Sequence, residues 1–549
     1  MKRPLALVVF ALVILAAFLA LTLGGKRPPA GGNGSVEGGV LRLPLPKNPK
    51  TLDPAGITDV YSDAMAQRIY NCLVKHSPQL EVVPDLAESW TVSEDGRTYT
   101  FKLRSGVKFH HGRELVADDV VFSLSRLADP RCSRKRELVE DIEGAAEYGA
   151  VLERVMKGEK VPTPELPAKP AGLSAPDAHT VVIRLRRRWP IFLHLLAMSP
   201  CSIVPRDEML RLGADFPLKP VGTGPFKVAE VGLDNRIEMV RFDDHFAGRP
   251  RLAGLSYQVI EDRLVRFDKY RSGELDMTDV PLGKFKSVEN HPDLHRWTQL
   301  NIFYLGIAMT KKPLGENVHL RRALNYAINR ERLCNDVLEG RAVPARGILP
   351  PGLPGYSEKL KGYSYDPEAA RRELAAAGHP EGKGLSGIKL CFDPRNDGKL
   401  IAVEIQKQLK AAKIPVELYE TDFNTLLDLT RNDPPPLYRL AWIADYPDPD
   451  NFLYVLFHSS RAGQSNRVHY KNPEVDRILD AARALPMGAE RSAAYSRAEA
   501  KIVEDAPWVF LYHRAGSLLV NPRVKGVTFT PLDSGVELPQ ADFINIEKE

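Results

Sequence analysis

The sequence predicts an α/β protein that folds into more than one lobe. Its 549 residues exceed what a single simple core holds. The segments "GIKLCFD", "LIAVEIQKQLKAAKI" and "PVELYE" follow one another as strand, helix and strand, which implies a parallel sheet. The sequence pattern also changes near residue 300, and short strands return after the last helices. Two or three lobes are therefore expected, with a boundary close to residue 300.

Short strands and helices alternate in the first 300 residues. The segment "VLRLPLP" predicts a strand, and "VYSDAMAQRIYNCLV" has the spacing of a helix. The segment "SWTVSEDGRTYTFKLR" predicts a β-hairpin, because two alternating runs meet at Asp95 and Gly96, a favoured turn dipeptide. A helix is expected at "VADDVVFSLSRLAD", since its early acidic residues suit the positive end of the helix dipole.

Helices are longer after residue 300. The segment "VHLRRALNYAINRERLCNDVLEG" predicts one amphipathic helix, with Gly340 as its stop. A buried strand is expected at "YRLAWIAD", followed by helices at "VDRILDAARAL" and "RSAAYSRAEAKIVED". The segments "WVFLYHRAGSLLV" and "KGVTFT" predict the closing strands, which we expect to return to the first lobe.

The N-terminus carries a clear export signal. Lys2 and Arg3 precede an apolar run from Leu5 to Leu23, which is followed by basic residues and a Gly-rich linker. At ~1.5 Å per residue, a run of this length can span the ~30 Å core of a bilayer. The alternative is a cleaved signal peptide, whose apolar core usually has only about 7–15 residues. We expect an exported protein, held at the membrane through residues 5–23 if the run is not cleaved.

Composition and motifs argue against most enzyme and metal-binding classes. The net charge of +5 is small for this length, and we expect no nucleic-acid partner. The five cysteines are scattered without a CxxC pair, which argues against a zinc site. The sequence contains no GxSxG, Walker or HExxH motif, and "GTG" at Gly222 to Gly224 lacks the third glycine of a dinucleotide site. We therefore predict no enzyme activity, no cofactor and no metal site.

Three aspartates stand out in "RLAWIADYPDPDNFLYVLF", at positions Asp445, Asp448 and Asp450. Their spacing does not fit a calcium loop, which needs acidic residues at positions 1, 3 and 5, Gly at 6 and Glu at 12. Asp445 follows a predicted buried strand, and open α/β sheets bind ligands at the carboxyl ends of their strands.

Two interpretations of these aspartates follow from the residues alone. In the first, Trp442 and Tyr446 exclude water beside Asp445 and strengthen its attraction for an ammonium group. In the second, all three carboxylates cap the turns that Pro447 and Pro449 form. The residues by themselves do not decide between a ligand-binding role and turn capping.

The segment "VVPDLAESWTVSEDGRTYTFKLRSGVKFHHGRELVADDVVFSL" resembles the signature region of extracytoplasmic solute-binding proteins of ABC importers. The resemblance is to family 5, the dipeptide, oligopeptide and nickel class. Further similar segments follow in the family's order, from about residue 40 to 535: "VGTGPFKV", "LRRALNYAINRERL", "WIADYPDPDNFLYVLF", "VDRILDAAR" and "EDAPWVFLYH". The chain departs from the family pattern in its long N-terminal apolar run, which no lipobox cysteine follows.

The resemblance implies a two-lobed clamp of the periplasmic-binding-protein type (type II-like, cluster C). Residues 1–37 would form the membrane anchor or signal segment with its linker. Lobe I would comprise residues 38–83, 203–300 and 516–549, and lobe II residues 301–515. A domain particular to this class would be inserted in lobe I at 84–202.

The resemblance also implies a function and a set of ligand contacts. The protein would capture di- or oligopeptides in the cleft and deliver them to an ABC permease and ATPase complex. Alternatives are a nickel chelate, an oligosaccharide or an opine as solute, or an anchored peptide sensor. Asp445 occupies the place of the family's ammonium-binding aspartate, beside Trp442 and Tyr446. Arg395 is a candidate for the ligand carboxylate, and Tyr61 for the first cleft loop.

Overall fold

The computed structural model describes residues 38–133, 135–159, 161, 168–231, 235–395, 397–535 and 544–546. The predicted membrane segment at 5–23 lies outside these residues. Among the described residues, no helix is both long and apolar enough to cross a bilayer.

The strands of the described residues form three main sheets and two short pairs. In chain order they are β1 Val40–Leu45, β2 Val74–His76, β3 Val82–Pro84, β4 Ala87–Val92, β5 Thr98–Leu103, β6 Leu173–Asp177, β7 Thr180–Arg184, β8 Phe226–Val231, β9 Arg236–Arg241, β10 Gly254–Val259, β11 Met277–Asp279, β12 Leu294–Thr298, β13 Asn301–Ile307, β14 Ala342–Pro344, β15 Lys389–Phe392, β16 Glu417–Glu420, β17 Leu437–Ile443, β18 Trp508–Val520, β19 Val524–Lys525 and β20 Asn545–Ile546.

The α-helices of the described residues cover these sheets and supply part of the cleft wall. In chain order they are α1 Val60–Ile69, α2 Ala117–Ala128, α3 Ala145–Met156, α4 Phe192–Leu196, α5 Arg206–Leu212, α6 Arg263–Arg271, α7 Phe285–Val288, α8 Val318–Ala327, α9 Arg330–Arg332, α10 Pro367–Ala376, α11 Gly398–Ala411, α12 Phe423–Asn432, α13 Tyr454–Phe457, α14 Pro473–Ala484 and α15 Ala489–Asp505.

Lobe I is built on a four-stranded sheet in the order β1-β10-β9-β8. Strand β1 alternates strictly, because Leu41, Leu43 and Leu45 are buried while the residues between them are partly exposed. This period of two places one apolar face against the core and one polar face toward solvent. The strand predicted from "VLRLPLP" is therefore confirmed.

Lobe II is built on the eight-stranded sheet, whose main path is β11-β18-β13-β17-β15-β16. Strand β15 pairs in parallel with β16 and with β17, which confirms the parallel sheet predicted from the strand–helix–strand segment. The long strand β18 pairs with β13 over its first half and with β11 and β12 over its second half. One continuous strand therefore connects the two lobes.

A separate antiparallel sheet, β4-β5-β7-β6, lies in the segment that we predicted as the inserted domain. Strands β4 and β5 form the predicted hairpin, with Trp90 opposite Phe101. Gly96 adopts a φ of 69° in its turn, a conformation that favours glycine. The inserted sheet packs against α2, and its core includes Phe101, Val120 and Ile183. The segment limits given above for the lobes and the inserted domain stay predictions.

The predicted helix from residue 318 to Gly340 is interrupted. Helix α8 ends at Ala327, and Asn329 caps a new turn by accepting a hydrogen bond from the Arg332 amide at 2.9 Å. The buried Arg330 guanidinium donates to the carbonyl oxygens of Phe510 and Asn325 at 2.5 and 3.0 Å. A tertiary contact therefore overrides the helical pattern. The predicted strand "KGVTFT" overlaps the observed two-residue strand Val524–Lys525 only at Lys525.

Glu499 in α15 gives the stability of lobe II a pH dependence. Its carboxylate is buried and accepts hydrogen bonds from the amides of Ile348 and Leu349 at 2.7 and 2.8 Å. Burial raises its pKa to about 7. The native state thus holds this proton more tightly than the unfolded chain, so stability falls as pH rises from the ordinary carboxyl range through about 7.

We expect Glu499→Gln to become more stable than the wild type as pH rises from 4.5 to 8, by up to ~3 kcal/mol. The amide keeps a hydrogen-bond acceptor for both backbone groups but does not ionise. Urea unfolding at several pH values measures the difference. Glu504→Gln is the matched control, because Glu504 lies exposed on the same helix. Equal pH slopes for the wild type and Glu499→Gln would contradict this prediction.

Candidate functional site

The first wall of the candidate cleft is the N-terminus of α1. Asp59 caps this helix, because its carboxylate accepts hydrogen bonds from the amides of Tyr61 and Ser62 at 3.1 and 3.0 Å. Its second oxygen accepts the Ser62 hydroxyl hydrogen bond at 2.9 Å. The cap places Tyr61 and Asp63 in the first turn of α1, where both line cavities.

The opposite wall is the end of β17. The Asp445 amide donates to the side-chain oxygen of Asn451 at 3.0 Å, and the Trp442 indole donates to the same oxygen at 2.9 Å. A single asparagine therefore fixes the chain direction where the strand ends. The carboxylate of Asp445 remains 34% exposed, so it is available to a ligand in the cleft.

A cavity of about 370 Å³ lies between these walls, lined by Asp59, Asp63, Lys135 and Asp445 among others. The Lys135 ammonium lies 3.6 Å from the Asp445 carboxylate. The negative charge of Asp445 is the main reason why the pKa of Lys135 is raised. Burial raises the pKa of Asp63, and the charge of Asp445 acts in the same direction. Carboxylates are in excess in this part of the cleft, since five aspartates face three basic side chains in the lining: Asp59, Asp63, Asp85, Asp445 and Asp533 against Arg68, Lys75 and Lys135.

A wider cavity of about 1150 Å³ continues from the first. The two cavities share lining residues in the α1 loop, at Ile443 and at Ser534, so they are two parts of one cleft. The wider part contains Tyr61 and Arg395, aromatic side chains and several arginines. The aromatic and basic lining residues are Tyr61, Tyr257, Trp297, Phe303, Phe423, Lys47, Lys50, Arg263, Arg266, Arg341, Arg395 and Arg514.

The predicted site residues do not all meet. Asp445 lines the smaller cavity, whereas Tyr61 and Arg395 line the wider one. The Arg395 guanidinium is engaged with Asp393, at 2.9 and 3.0 Å from its two carboxylate oxygens. Burial raises the pKa of the Tyr61 hydroxyl, and the nearby charges of Arg266 and Arg395 oppose that shift.

Trp442 and Tyr446 lie outside the lining of both cavities. Trp442 packs against the core of lobe II, on the face of β17 opposite to Ile443. Tyr446 is buried in the core of the inserted sheet, and its hydroxyl donates to Asp450 at 2.9 Å. Both side chains therefore influence the position of Asp445 by fixing the backbone on either side of it.

Asp448 and Asp450 are buried members of an ionic network. Asp448 caps the turn after Pro447 by accepting the Asp450 amide hydrogen bond at 2.9 Å, and it pairs with Arg491 at 2.8 Å. Burial raises the pKa of Asp448, while the charge of Arg491 opposes the shift. Asp450 forms an ion pair with Arg483 at 2.9 Å. It also accepts hydrogen bonds from the hydroxyl groups of Tyr446 and Tyr495, each at 2.9 Å.

Sequence reasoning missed Asp59, Asp63 and Lys135. A signal for Asp59 was present, since an aspartate directly before "VYSDAMAQRI" is a typical N-cap. Lys135 had no such signal, because it comes from the predicted inserted domain and is 310 residues away from Asp445 in sequence. Only the fold brings the two together.

Comparison with known proteins agrees with this architecture. A family model for bacterial extracellular solute-binding proteins, family 5, matches residues 81–464. The chain belongs to this family. It is 31% identical to heme-binding protein A of Haemophilus influenzae, over 88% of this chain and 89% of that one. It is 30% identical to the dipeptide-binding protein of Escherichia coli, over 86% of this chain and 88% of that one.

Solved structures show the same two-lobed clamp. The ABC transporter-associated periplasmic binding protein DppA of Helicobacter pylori, solved in complex with the peptide STSA, has a TM-score of 0.78 and 28% identity. The match covers 93% of this chain and 98% of that one. The chain is therefore a solute-binding protein of the extracytoplasmic compartment. The clamp predicted by the resemblance is confirmed.

The buried network makes Asp450 a structural residue. Asp450→Ala leaves the Arg483 guanidinium and two tyrosine hydroxyls without their shared partner, and breaking one buried ion pair costs roughly 3–5 kcal/mol. We expect chemical unfolding to show a loss of that size. Asp480→Ala, which removes a 59% exposed carboxylate from α14, is the control. Similar stabilities for both variants would contradict this assignment.

Proposed function

We propose that the protein captures small peptides in its cleft, binds their α-ammonium group at Asp445, and delivers them to an ABC permease and ATPase complex. One observation carries the proposal: the Asp445 carboxylate lies 3.6 Å from the Lys135 ammonium group, in a cavity whose lining holds more aspartates than basic side chains. The contact with Lys135 shows that an ammonium group fits beside the Asp445 carboxylate in this cavity. The excess negative charge favours a second ammonium group, which the ligand supplies.

Electrostatics in a partly enclosed cleft make this attraction substantial. Two opposite unit charges 4 Å apart attract by about 1 kcal/mol in bulk water and by about 4 kcal/mol at the effective dielectric constant near a protein surface. Asp445 is held from the backbone side by Asn451, so its carboxylate needs little ordering when a ligand arrives. A neutral oligosaccharide would gain nothing from these charges.

The relatives support peptides as the solute class. The Escherichia coli relative is a dipeptide-binding protein, and the Helicobacter pylori structure contains a peptide. We propose that Tyr61 and Arg395 contact the ligand from the wider cavity, while Trp442 and Tyr446 act by positioning Asp445. The ligand is released unchanged, because the proposed contacts bind charge and surface without a reacting group.

We also propose that residues 5–23 keep the protein at the outer face of the inner membrane. The support is the apolar run between Lys2–Arg3 and Lys26–Arg27, which is longer than an ordinary signal-peptide core. Fractionation of cells that express the full chain distinguishes the two cases. Intact protein in the membrane pellet supports an anchor, and a shortened soluble protein supports a cleaved signal peptide.

Asp445→Ala should weaken the binding of a peptide with a free amino terminus at least tenfold, because truncating one partner of a charged pair typically costs about 2–5 kcal/mol. The fold should remain intact, since the network through Asp448 and Asp450 is untouched. Isothermal titration calorimetry with trialanine measures the effect. N-acetyl-trialanine should bind weakly to both proteins.

Asp433→Ala is the control for this experiment. Asp433 also lies in lobe II, but its carboxylate is 78% exposed and pairs with Lys311 away from the cavities. The variant changes the net charge by the same amount and should bind trialanine normally. Unchanged affinity in Asp445→Ala, or equal affinity of the wild type for the acetylated and free peptides, would contradict the ammonium role.

A further inference from the structure

Lys135 reaches the candidate site from a turn that is anchored in the core of the inserted sheet. A 3₁₀ turn at Arg136–Leu138 follows it. The Lys135 amide donates to the Ser133 hydroxyl at 3.0 Å, and its carbonyl oxygen accepts a hydrogen bond from the Leu138 amide at 3.1 Å. Leu138 is buried in the same core as Phe101 of the inserted sheet. The backbone of Lys135 is therefore fixed, and its ammonium group moves by rotation of the side chain.

A second ionic contact joins the same turn to lobe II. Glu140 pairs with Arg461 at 2.8 Å, and both side chains are partly buried. Burial raises the pKa of Glu137, whereas the charges of Lys135 and Arg461 oppose that shift. The pair of Glu140 and Arg461 therefore holds the turn to lobe II independently of the contact between Lys135 and Asp445.

The ammonium group of Lys135 lies where the proposed function places the ammonium group of the ligand. It is 3.6 Å from the Asp445 carboxylate, and 23% of the lysine side chain is exposed. Both residues line the smaller cavity, so a ligand that enters this cavity meets the two charges together. A carboxylate with a cationic partner binds a second cation less strongly, because part of the new interaction replaces the old one.

Other carboxylates are available to Lys135 when it leaves Asp445. The charge of Asp445 is the largest cause of the raised pKa of Lys135, and the charges of Glu137 and Asp63 act in the same direction. A lysine carries its charge on a flexible four-carbon stem, so its ammonium group can change partners while the backbone stays in place. Displacement from Asp445 therefore exchanges one carboxylate for another and does not leave a partly buried charge unpaired.

We propose that Lys135 is an internal occupant of the ammonium site, which a peptide must displace from Asp445 in order to bind. The inference rests on the proposed function and deepens it, because it makes Lys135 a residue that determines which ligands bind. Lys135 is tethered beside the carboxylate, and a short flexible tether gives an effective concentration on the order of millimolar. A small amine at micromolar concentration does not displace such a competitor, whereas a peptide also gains contacts in the wider cavity.

A purely structural role of Lys135 makes the opposite prediction. If the lysine served to hold Asp445 in place, its loss would loosen the carboxylate and weaken the binding of a ligand. Asn451 already fixes the backbone of Asp445 by accepting a hydrogen bond from its amide at 3.0 Å. The carboxylate therefore does not depend on Lys135 for its position, and the loss of Lys135 should strengthen binding.

Isothermal titration calorimetry with trialanine and N-acetyl-trialanine tests the displacement. We expect Lys135→Gln to bind trialanine at least fivefold more tightly than the wild type, because Asp445 then has no lysine to release. Lys135→Met, which keeps an unbranched stem without the charge, should behave in the same way. N-acetyl-trialanine should bind these variants as weakly as it binds the wild type, since it carries no ammonium group. Lys135→Arg restores a cation and should bind trialanine no more tightly than the wild type does.

Arg136→Gln is the matched control. It removes the same unit charge from the neighbouring residue, whose guanidinium group is 47% exposed and pairs with Glu153 at 2.7 Å. Neither Arg136 nor Glu153 lines the smaller cavity. This variant should bind trialanine with the affinity of the wild type, and thermal unfolding of all four variants checks that they fold.

The outcomes separate this inference from the proposed function. Unchanged or weaker binding of trialanine by both neutral variants of Lys135 would overturn the displacement. The ammonium role of Asp445 would still stand if the wild type prefers the free peptide to the acetylated one. Equal tightening in Arg136→Gln would reveal a general charge effect and would also overturn the displacement. If the wild type binds neither peptide, or both equally, the ammonium role is wrong and this inference with it.

Discussion

The candidate site depends on two buried ion pairs whose residues lie outside the lining of both cavities. Asp448 with Arg491, and Asp450 with Arg483, lie almost fully out of solvent and hold the turn after β17 against helices α14 and α15. Neither charge can leave its partner without exposing an unpaired ion to an apolar interior. The Pro-containing turn is consequently fixed, and Asn451 at its end is fixed with it. Because the Asn451 side-chain oxygen accepts a hydrogen bond from the Asp445 amide, the network also fixes the backbone of Asp445, whose carboxylate lines the smaller cavity.

Charge is separated along the cleft. Carboxylates from α1 and β17 concentrate at the smaller cavity, and guanidinium groups from α6, β18 and the turn before β14 concentrate at the wider one. Each cluster is partly neutralised from within, by Lys135 on one side and by Asp279 and Asp397 on the other. This internal neutralisation is incomplete, because carboxylates stay in excess in the lining of the smaller cavity and basic side chains in that of the wider one.

The sequence predicted local features well and long-range contacts poorly. Alternation in β1, the Asp95–Gly96 hairpin and the parallel strands around α11 each depend on residues close in sequence, and all three were found. The different roles of Asp445, Asp448 and Asp450 could not be predicted from residues close in sequence. Whether Asp450 meets a solvent molecule or Arg483 is decided by the packing of α14, which no local pattern encodes. The same reason explains why Lys135 was missed, and why Arg330 broke a helix that its own segment predicted to be continuous.

A clamp must keep its lobes rigid while the distance across its cleft changes. Strand β18 meets both demands, since Arg514 pairs with Ala342 in β14 and the next residue, Ala515, pairs with Thr298 in β12. The change of partners occurs within one peptide unit, at the arginine that lines the wider cavity. A ligand that contacts Arg514 in the wider cavity would therefore act on the strand where the two lobes join, whereas an ammonium group at Asp445 would act on the opposite wall. A ligand long enough to reach both cavities would thus connect this strand to the wall at the end of β17.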